Sequence, residues 1–442
     1  MNLLIKNITE FTMDRLKICM YRLCLMLGGC IFVPLTLSAQ TQYTLDECVE
    51  MALKNNVRIK NADNDLRAAK EQKKSAFTNY FPSVSATGLG FLADKGLVEV
   101  DMAGQRLSAV KNGLSGGVTA SLPLFTGGQI VHGNKLAKVN VEVNRLKRAQ
   151  SEDEVRLTVE QYFWQVVMLK EKLRTLSAIQ TQLEQIRNDV DAAVASGISD
   201  RNDLLQVQLR KNETRSNYIS VENALKVSRS LLGQYIGQAE DSIDVTVSMD
   251  GSLPLPPDGL YCLPESSLAS TTEYRLLNKQ LDASNLEYKM TVGKNLPTVA
   301  IGGGFIYDDW MDHSHPFWIG GVTVSVPLTK WWGGSHDMKQ QRLKVRNAEN
   351  LLTDQSQLLI IRMQNTWNAV TDAYKQVEIA IESIGQAEEN LRLQSDYYQA
   401  GTCTMSDLLE AQSLYQQSRD HYVESYAQYE VKKREYLQST GR

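Results

Sequence analysis

After residue 39 the chain has no apolar run approaching the roughly 18 residues that a membrane-spanning helix requires. If the mature chain enters a bilayer, it does so as strands. Charge of one sign is also lacking: 47 Lys and Arg stand against 51 Asp and Glu. Without a basic excess, no nucleic-acid partner is expected. Cysteine is scarce, and Cys48, Cys262 and Cys403, the three beyond the leader, are too far apart for a disulfide framework. No Gly-Lys-Ser/Thr sequence makes a phosphate loop. Gly88-Leu89-Gly90-Phe91-Leu92-Ala93 matches a dinucleotide fingerprint, but the turn Asp94-Lys95-Gly96 follows where a helix is required, so the segment reads as a strand. Asp308, Asp309, Asp312, His313 and His315 are close enough in sequence to hold a metal, yet read as an exposed polar loop. Cys403 has only His421 nearby and no third group, and reads as a small turn residue. The sequon Asn212-Glu213-Thr214 falls inside a helix. No catalytic constellation, metal or cofactor is expected, which argues against an enzyme.

The first 39 residues have the form of an export signal. Arg15, Lys17 and Arg22 form a basic lead, Leu23 to Leu37 is uncharged and mostly apolar, and Leu37-Ser38-Ala39 ends it with small residues. Met13 serves as a start as well as Met1. Leu27-Gly28-Gly29-Cys30 matches a lipoprotein box, which makes Cys30 a candidate for lipidation. The apolar core Leu23–Met26 before it is short, so cleavage after Ala39 is favoured. From residue 40 onward the balance is 43 basic to 49 acidic residues.

What the chain does contain is a long internal repeat. Phe81-Pro82-Ser83-Val84 recurs as Leu296-Pro297-Thr298-Val299. Val118 to Leu124 recurs as Val322 to Leu328, and Gly197 with Asp203-Leu204-Leu205 recurs as Gly401 with Asp407-Leu408-Leu409, both at a spacing of 204. This divides the chain into a signal (1–39), a first repeat (40–235), a Pro-rich linker (236–263) and a second repeat (264–442). Each half reads as helix, strand, loop, strand, very long helix, tight turn, long helix. Between Ile130 and Ser196, and between Ser335 and Ala400, there is no Pro and one Gly each. Either run is roughly 100 Å long as a helix and must lie against a neighbour along its length. Val370, Ala373, Val377, Ala380, Ile384, Ala387 and Leu391 mark that contact with a 3.5-residue repeat. Val166, Leu169, Leu173, Leu176, Leu183 and Ile186 keep it less strictly.

The strands alternate. Val118, Ala120, Leu122 and Leu124 oppose Thr119 and Ser121, and Val322, Val324, Val326 and Leu328 oppose Thr323 and Ser325. Val84 and Ala86 oppose Ser85 and Thr87, and Val299, Ile301 and Phe305 form a fourth set. Roughly ten such residues match the length of a transmembrane β-strand, and Trp310, Trp318, Trp331 and Trp332 are expected at the ends of the second hairpin. Four strands cannot close a barrel, and open edges are not tolerated in lipid. Several copies must share one barrel.

With its duplicated layout, paired Pro–strand motifs and two Gly-led tips, the sequence resembles the TolC family of outer-membrane efflux proteins over residues 42–442. The second tip, Ala400-Gly401-Thr402-Cys403-Thr404-Met405-Ser406-Asp407-Leu408-Leu409-Glu410, is similar to the family's Val-Gly-Thr turn and acidic-Leu segment. The resemblance implies an α+β membrane protein, a homotrimer whose twelve strands form one barrel in outer-membrane lipid above a periplasmic α-barrel of long antiparallel helices. It implies an exit duct of a tripartite efflux pump or type I secretion system that meets a periplasmic adaptor and an inner-membrane transporter. The linker would belong to a belt around the barrel. By position, Asp203 and Tyr398 match a latch pair, and Asp407 and Glu410 an acidic constriction. Gly197, Ile198, Gly401 and Thr402 form the tip expected to dock the adaptor. Cys403 stands where a member with a developed latch has Arg, so any salt bridge there is lost. The competing reading, a periplasmic coiled-coil scaffold or adaptor, would normally carry one helical hairpin flanked by compact β-domains.

Overall fold

The computed structural model describes residues 41–94, 98–102, 105–109, 112–238, 243–247, 249, 251–310, 313–328 and 330–442. The expected leader, with Cys30, Met1 and Met13, lies outside them, as does Asp312. Chain order is β1 (Thr41–Tyr43), α1 (Leu45–Asn55), α2 (Val57–Thr78), β2 (Ser83–Leu92), β3 (Val98–Met102), β4 (Gln105–Ala109), β5 (Asn112–Thr126), α3 (Gln129–Ala195) and α4 (Arg201–Ile236). There follow β6 (Ile243–Val245), α5 (Pro264–Ser267), α6 (Thr272–Gly293), β7 (Thr298–Trp310), β8 (His313–Ser325), α7 (Lys330–Gln399) and α8 (Met405–Ser439).

The Pro-free runs become the 67-residue α3 and the 70-residue α7. Near the turns, α4, α3, α8 and α7 lie side by side in that order. Towards the sheet α2 takes the place of α4 and α6 that of α8, so the wall keeps four helices across. The joints are made by short polar side chains that meet the carbonyls a helix end leaves unpaired. Asn55 and Asn56 donate through Nδ2 to Ile236 O (3.0 Å) and Tyr235 O (3.2 Å), while Asn56 Oδ1 accepts from Arg58 N at 2.9 Å. One asparagine thus helps to close α4 and opens α2. In the second repeat Ser270 Oγ donates to Thr440 O (3.1 Å), and Thr271 Oγ1 accepts from Tyr274 N (3.4 Å) to cap α6. The 3.5-residue seam of α7 is buried: Val370, Val377 and Ala380 are fully inaccessible and share a core with Tyr422, Val423 and Tyr429 of α8.

The linker is docked rather than loose. Ile243 and Val245 are buried in β6, which pairs with β1, and Asp244 between them takes Lys170 (2.7 Å) and Arg229 (2.8 Å) from α3 and α4. Further on, a ladder of tyrosines seven residues apart on α8 holds it. Tyr422 donates to Ser252 O at 3.1 Å and Tyr429 to Leu255 O at 2.6 Å, while Tyr436 accepts from Cys262 N at 3.0 Å. All three rings are buried.

The four long strands form one antiparallel sheet in the order β2-β5-β7-β8. Its register puts Ala86, Val118, Phe305 and Trp318 in one row, and Thr87, Gly117, Ile306 and Phe317 in the next, on the opposite face. Val84, Trp318, Val322 and Val324 stay exposed in the single chain, so the apolar face has no cover of its own. β2 and β8 are the open edges.

Three expectations change here. Trp318 is not at a hairpin end but mid-strand against Phe305, with ring centroids 5.3 Å apart; Trp310 does close β7, and Trp332 lies at the other end, on α7. Asp308, Asp309, His313 and His315 belong to β7 and β8 rather than to a loop, and Asp308 accepts from Ser115 of β5. The loop after β2 also carries a small ribbon, β3–β4.

Candidate functional site: the two hairpin tips

Each long hairpin turns in the same way. Gly197 N donates to Val194 O (3.0 Å) and Ile198 N to Ala193 O (2.9 Å). In the second repeat Gly401 N donates to Tyr398 O (3.0 Å) and Thr402 N to Tyr397 O (2.9 Å). This paired closure satisfies two end carbonyls and needs a left-handed residue at its centre. Gly197 has φ 74° and Gly401 φ 71°, with open space where a Cβ would sit, so it is the backbone and not the room that asks for glycine. Ile198 is 83% exposed beside the first turn.

The two tips differ at the helix that follows. Thr404 caps α8, and Asp407 closes a capping box: its Oδ2 accepts from Thr404 N (2.9 Å) and Thr404 Oγ1 (2.6 Å). Those donors hold the Asp407 carboxyl below the usual range. In the first repeat the cap of α4 is Asp200, whose Oδ1 accepts from Asn202 N at 3.3 Å. Asp203 is therefore free of the capping role, and its Oδ2 accepts instead from Ser199 Oγ at 2.7 Å.

Tyr398 completes the arrangement from the other hairpin. Its ring packs on the core that joins Val190, Val207, Leu391, Met405 and Leu408, so the two tips of one chain share a single apolar cluster. Its hydroxyl lies near Ser199 of the first tip. Burial first, and then the nearby Asp203 charge, push the phenol pKa up, against the pull of Ser199. No direct hydrogen bond joins Tyr398 and Asp203 among the described residues; Ser199, which donates to Asp203, lies near both. Ser199 was not singled out by sequence reasoning; it stands where the second repeat has Cys403, whose thiol reaches Gln394 O at 3.4 Å. Glu410 is exposed one turn beyond Asp407.

A wall of long helices in register, a sheet with one apolar face and two open edges, and a polar contact at the hairpin tips define a membrane channel subunit. The chain belongs to the outer membrane efflux protein family: the family model matches residues 48–238 and again 263–442. It is an outer membrane efflux channel with a periplasmic helical extension, not an enzyme. Solved structures share the fold. CusC matches with TM-score 0.78 at 14% identity, over 91% of this chain and 93% of its own. The CmeC outer membrane channel of Campylobacter jejuni matches with TM-score 0.77 at 15%, over 90% and 85%. The open state of the MtrE outer membrane channel of Neisseria gonorrhoeae gives 0.72 at 15%, over 90% and 88%. No curated protein matches the chain in sequence.

Proposed function

We propose that three copies of this chain close a twelve-stranded barrel and form the exit duct of a tripartite efflux pump or type I secretion system. The observation that carries the trimer is the sheet: four strands, an uncovered apolar face and unpaired edges at β2 and β8. Hydrocarbon offers those edge amides no partner, so β8 of one copy must pair with β2 of the next. Channels of the TolC family are trimeric efflux components, which supports the same stoichiometry. Residues 1–39 direct export and are removed, and the docked linker belts the helical wall.

At the far end, Gly197, Ile198, Gly401 and Thr402 present the turns to a periplasmic adaptor, which couples the duct to an inner-membrane transporter. Asp203 and Tyr398, with Ser199 between them, latch the tip closed. Asp407 and Glu410 ring the mouth with carboxylates, three copies of each. Detergent-purified protein is expected to run as a trimer in sedimentation and to migrate differently before and after boiling. A monodisperse monomer with intact strand content would overturn the reading. Gly401→Val is expected to abolish drug export while trimers persist in the outer membrane, and undiminished resistance would remove the docking role.

A further inference from the structure

The helical turns next to the sheet carry a charge that the rest of the chain does not. Residues 67–78, 129–148, 279–294 and 330–349, the parts of α2, α3, α6 and α7 nearest the strands, hold 17 Lys and Arg against 6 Asp and Glu. The remainder from residue 40 holds 26 against 43. At 1.5 Å per residue these segments lie within roughly 30 Å of the strand ends. A chain of net negative charge thus gathers its positive charge into a collar directly below the membrane.

One groove in that collar is built for an anion. α3 and α6 enclose about 570 Å³ between them, walled by Val139 and Leu286 and edged by Lys135, Lys138 and Lys289. These three lysines are exposed and meet no carboxylate within ion-pair distance among the described residues. The two acids nearby are occupied, Asp282 by Lys279 at 3.0 Å and Glu142 by Arg145 at 3.6 Å. Lys135 and Lys289 lie six residues into α3 and four from the end of α6. That places them roughly 6–9 Å below the strand ends, where a lysine stem reaches the headgroup layer. His132 reports the local field: its pKa is lowered by burial, then by Lys135 and Lys289. Phe77, Tyr80 and Phe81, in edge contact and exposed at the top of α2, mark the same interfacial level.

We propose that this groove binds the phosphate of an anionic glycerophospholipid of the periplasmic leaflet. Unneutralised ammonium groups supply the attraction, two of them at headgroup depth and Lys138 roughly 14 Å below the strand ends, and this nearness to the bilayer favours a lipid over a free anion. The inference rests on the outer-membrane channel reading.

The test is native mass spectrometry of detergent-purified full-length trimers titrated with phosphatidylglycerol, or with phosphatidylcholine of the same acyl chains. Phosphatidylglycerol is expected to bind with a preference on the order of fivefold per engaged lysine, falling as salt rises. The variant Lys135→Gln with Lys138→Gln and Lys289→Gln is expected to lose the preference, and Lys226→Gln, exposed on α4, to keep it. Equal binding of the two lipids by the wild type overturns the proposal, whatever the variant's folding, and so does a preference that survives in a trimeric triple variant. Displacement of the lipid by an equal concentration of inorganic phosphate would identify a free-anion site and overturn it also. If the wild type yields no trimers, it is the duct reading that falls.

Discussion

Along α7, Val370, Ala373, Val377 and Ala380 turn aliphatic side chains into the core shared with α8, whereas the contact of α8 with α3, apolar where Trp164 meets Tyr426 with ring centroids 5.8 Å apart, also carries a row of charges. There Lys172 pairs with Glu424, Arg434 lies 3.8 Å from Glu160, and Asp420, mostly buried beside Lys172, has its carboxyl pKa raised by that burial. The first contact joins two helices of one hairpin, and the second joins the two hairpins. An aliphatic seam is lost as a whole when parted, because every buried methylene returns to water. The ionic row exchanges its partners for water where it is exposed, as at Glu424, and net contributions there are small. The two hairpins of one chain are thus joined by packed apolar side chains with an ionic margin whose separate pairs are replaceable.

The largest effect is expected where the seams are interchanged. Val377→Asp places an unpaired carboxylate at a fully buried position and is expected to cost more than about 4 kcal/mol, abolishing trimers in outer-membrane extracts. Glu424→Gln in the ionic seam is expected to shift stability by no more than about 1 kcal/mol. Similar losses in both would erase the distinction.

Glu160 gives the next largest effect. Burial raises its pKa from the ordinary 4.5 to about 7, against the pull of Arg434. The folded chain therefore holds a proton that the unfolded chain releases, and stability falls as pH rises from about 4.5 to about 7. The change amounts to at most about 3 kcal/mol. Glu160→Gln is expected to flatten this window in thermal melts of the detergent-solubilised protein, and an unchanged profile would place the titration elsewhere.

A smaller, purely electrostatic effect is expected at the mouth. Six carboxylates of one sign focus potential, so the pore should prefer cations. Because Thr404 holds Asp407 ionised, that preference should persist below the usual aspartate range. Asp407→Asn with Glu410→Gln is expected to remove it in reversal potentials across a salt gradient; unchanged potentials would rule the ring out.

Much of the fold was legible because it is periodic. The 204-residue offset reappears in the hydrogen bonds of both tips, from Ala193 and Val194 to Tyr397 and Tyr398. The aliphatic seam of α7 and the alternation of the strands are repeats of 3.5 and 2 that burial and register then enforce. What was not legible depends on tertiary neighbours. The linker has the Pro and Gly of a tether, yet Asp244 is held by cations from two helices. The tyrosine ladder at 422, 429 and 436 was visible as a seven-residue spacing, but its partners are linker carbonyls that no pattern announces. Asp203 and Tyr398 stand out only through resemblance. Ser199 escaped because a serine beside a helix cap reads as local chemistry until the second hairpin is brought against it.

If polar contact between the two hairpins holds the tip closed, its loss is read in single-channel recordings in planar bilayers. The Ser199–Asp203 bond stays within the first tip, so what opening would break is the contact of the Tyr398 hydroxyl with that tip, worth about 0.5–1.5 kcal/mol as a neutral hydrogen bond. Each roughly 1.4 kcal/mol shifts an open–closed equilibrium tenfold, although three such contacts at one mouth need not add. Tyr398→Phe keeps the ring in its apolar cluster and removes only the hydroxyl, and Ser199→Ala removes the neighbouring hydroxyl. Each is expected to raise conductance or open time by up to about tenfold, and adding Asp203→Ala to Tyr398→Phe should change little more. If Tyr398→Phe and Ser199→Ala both conduct like wild type, this polar contact does not close the channel.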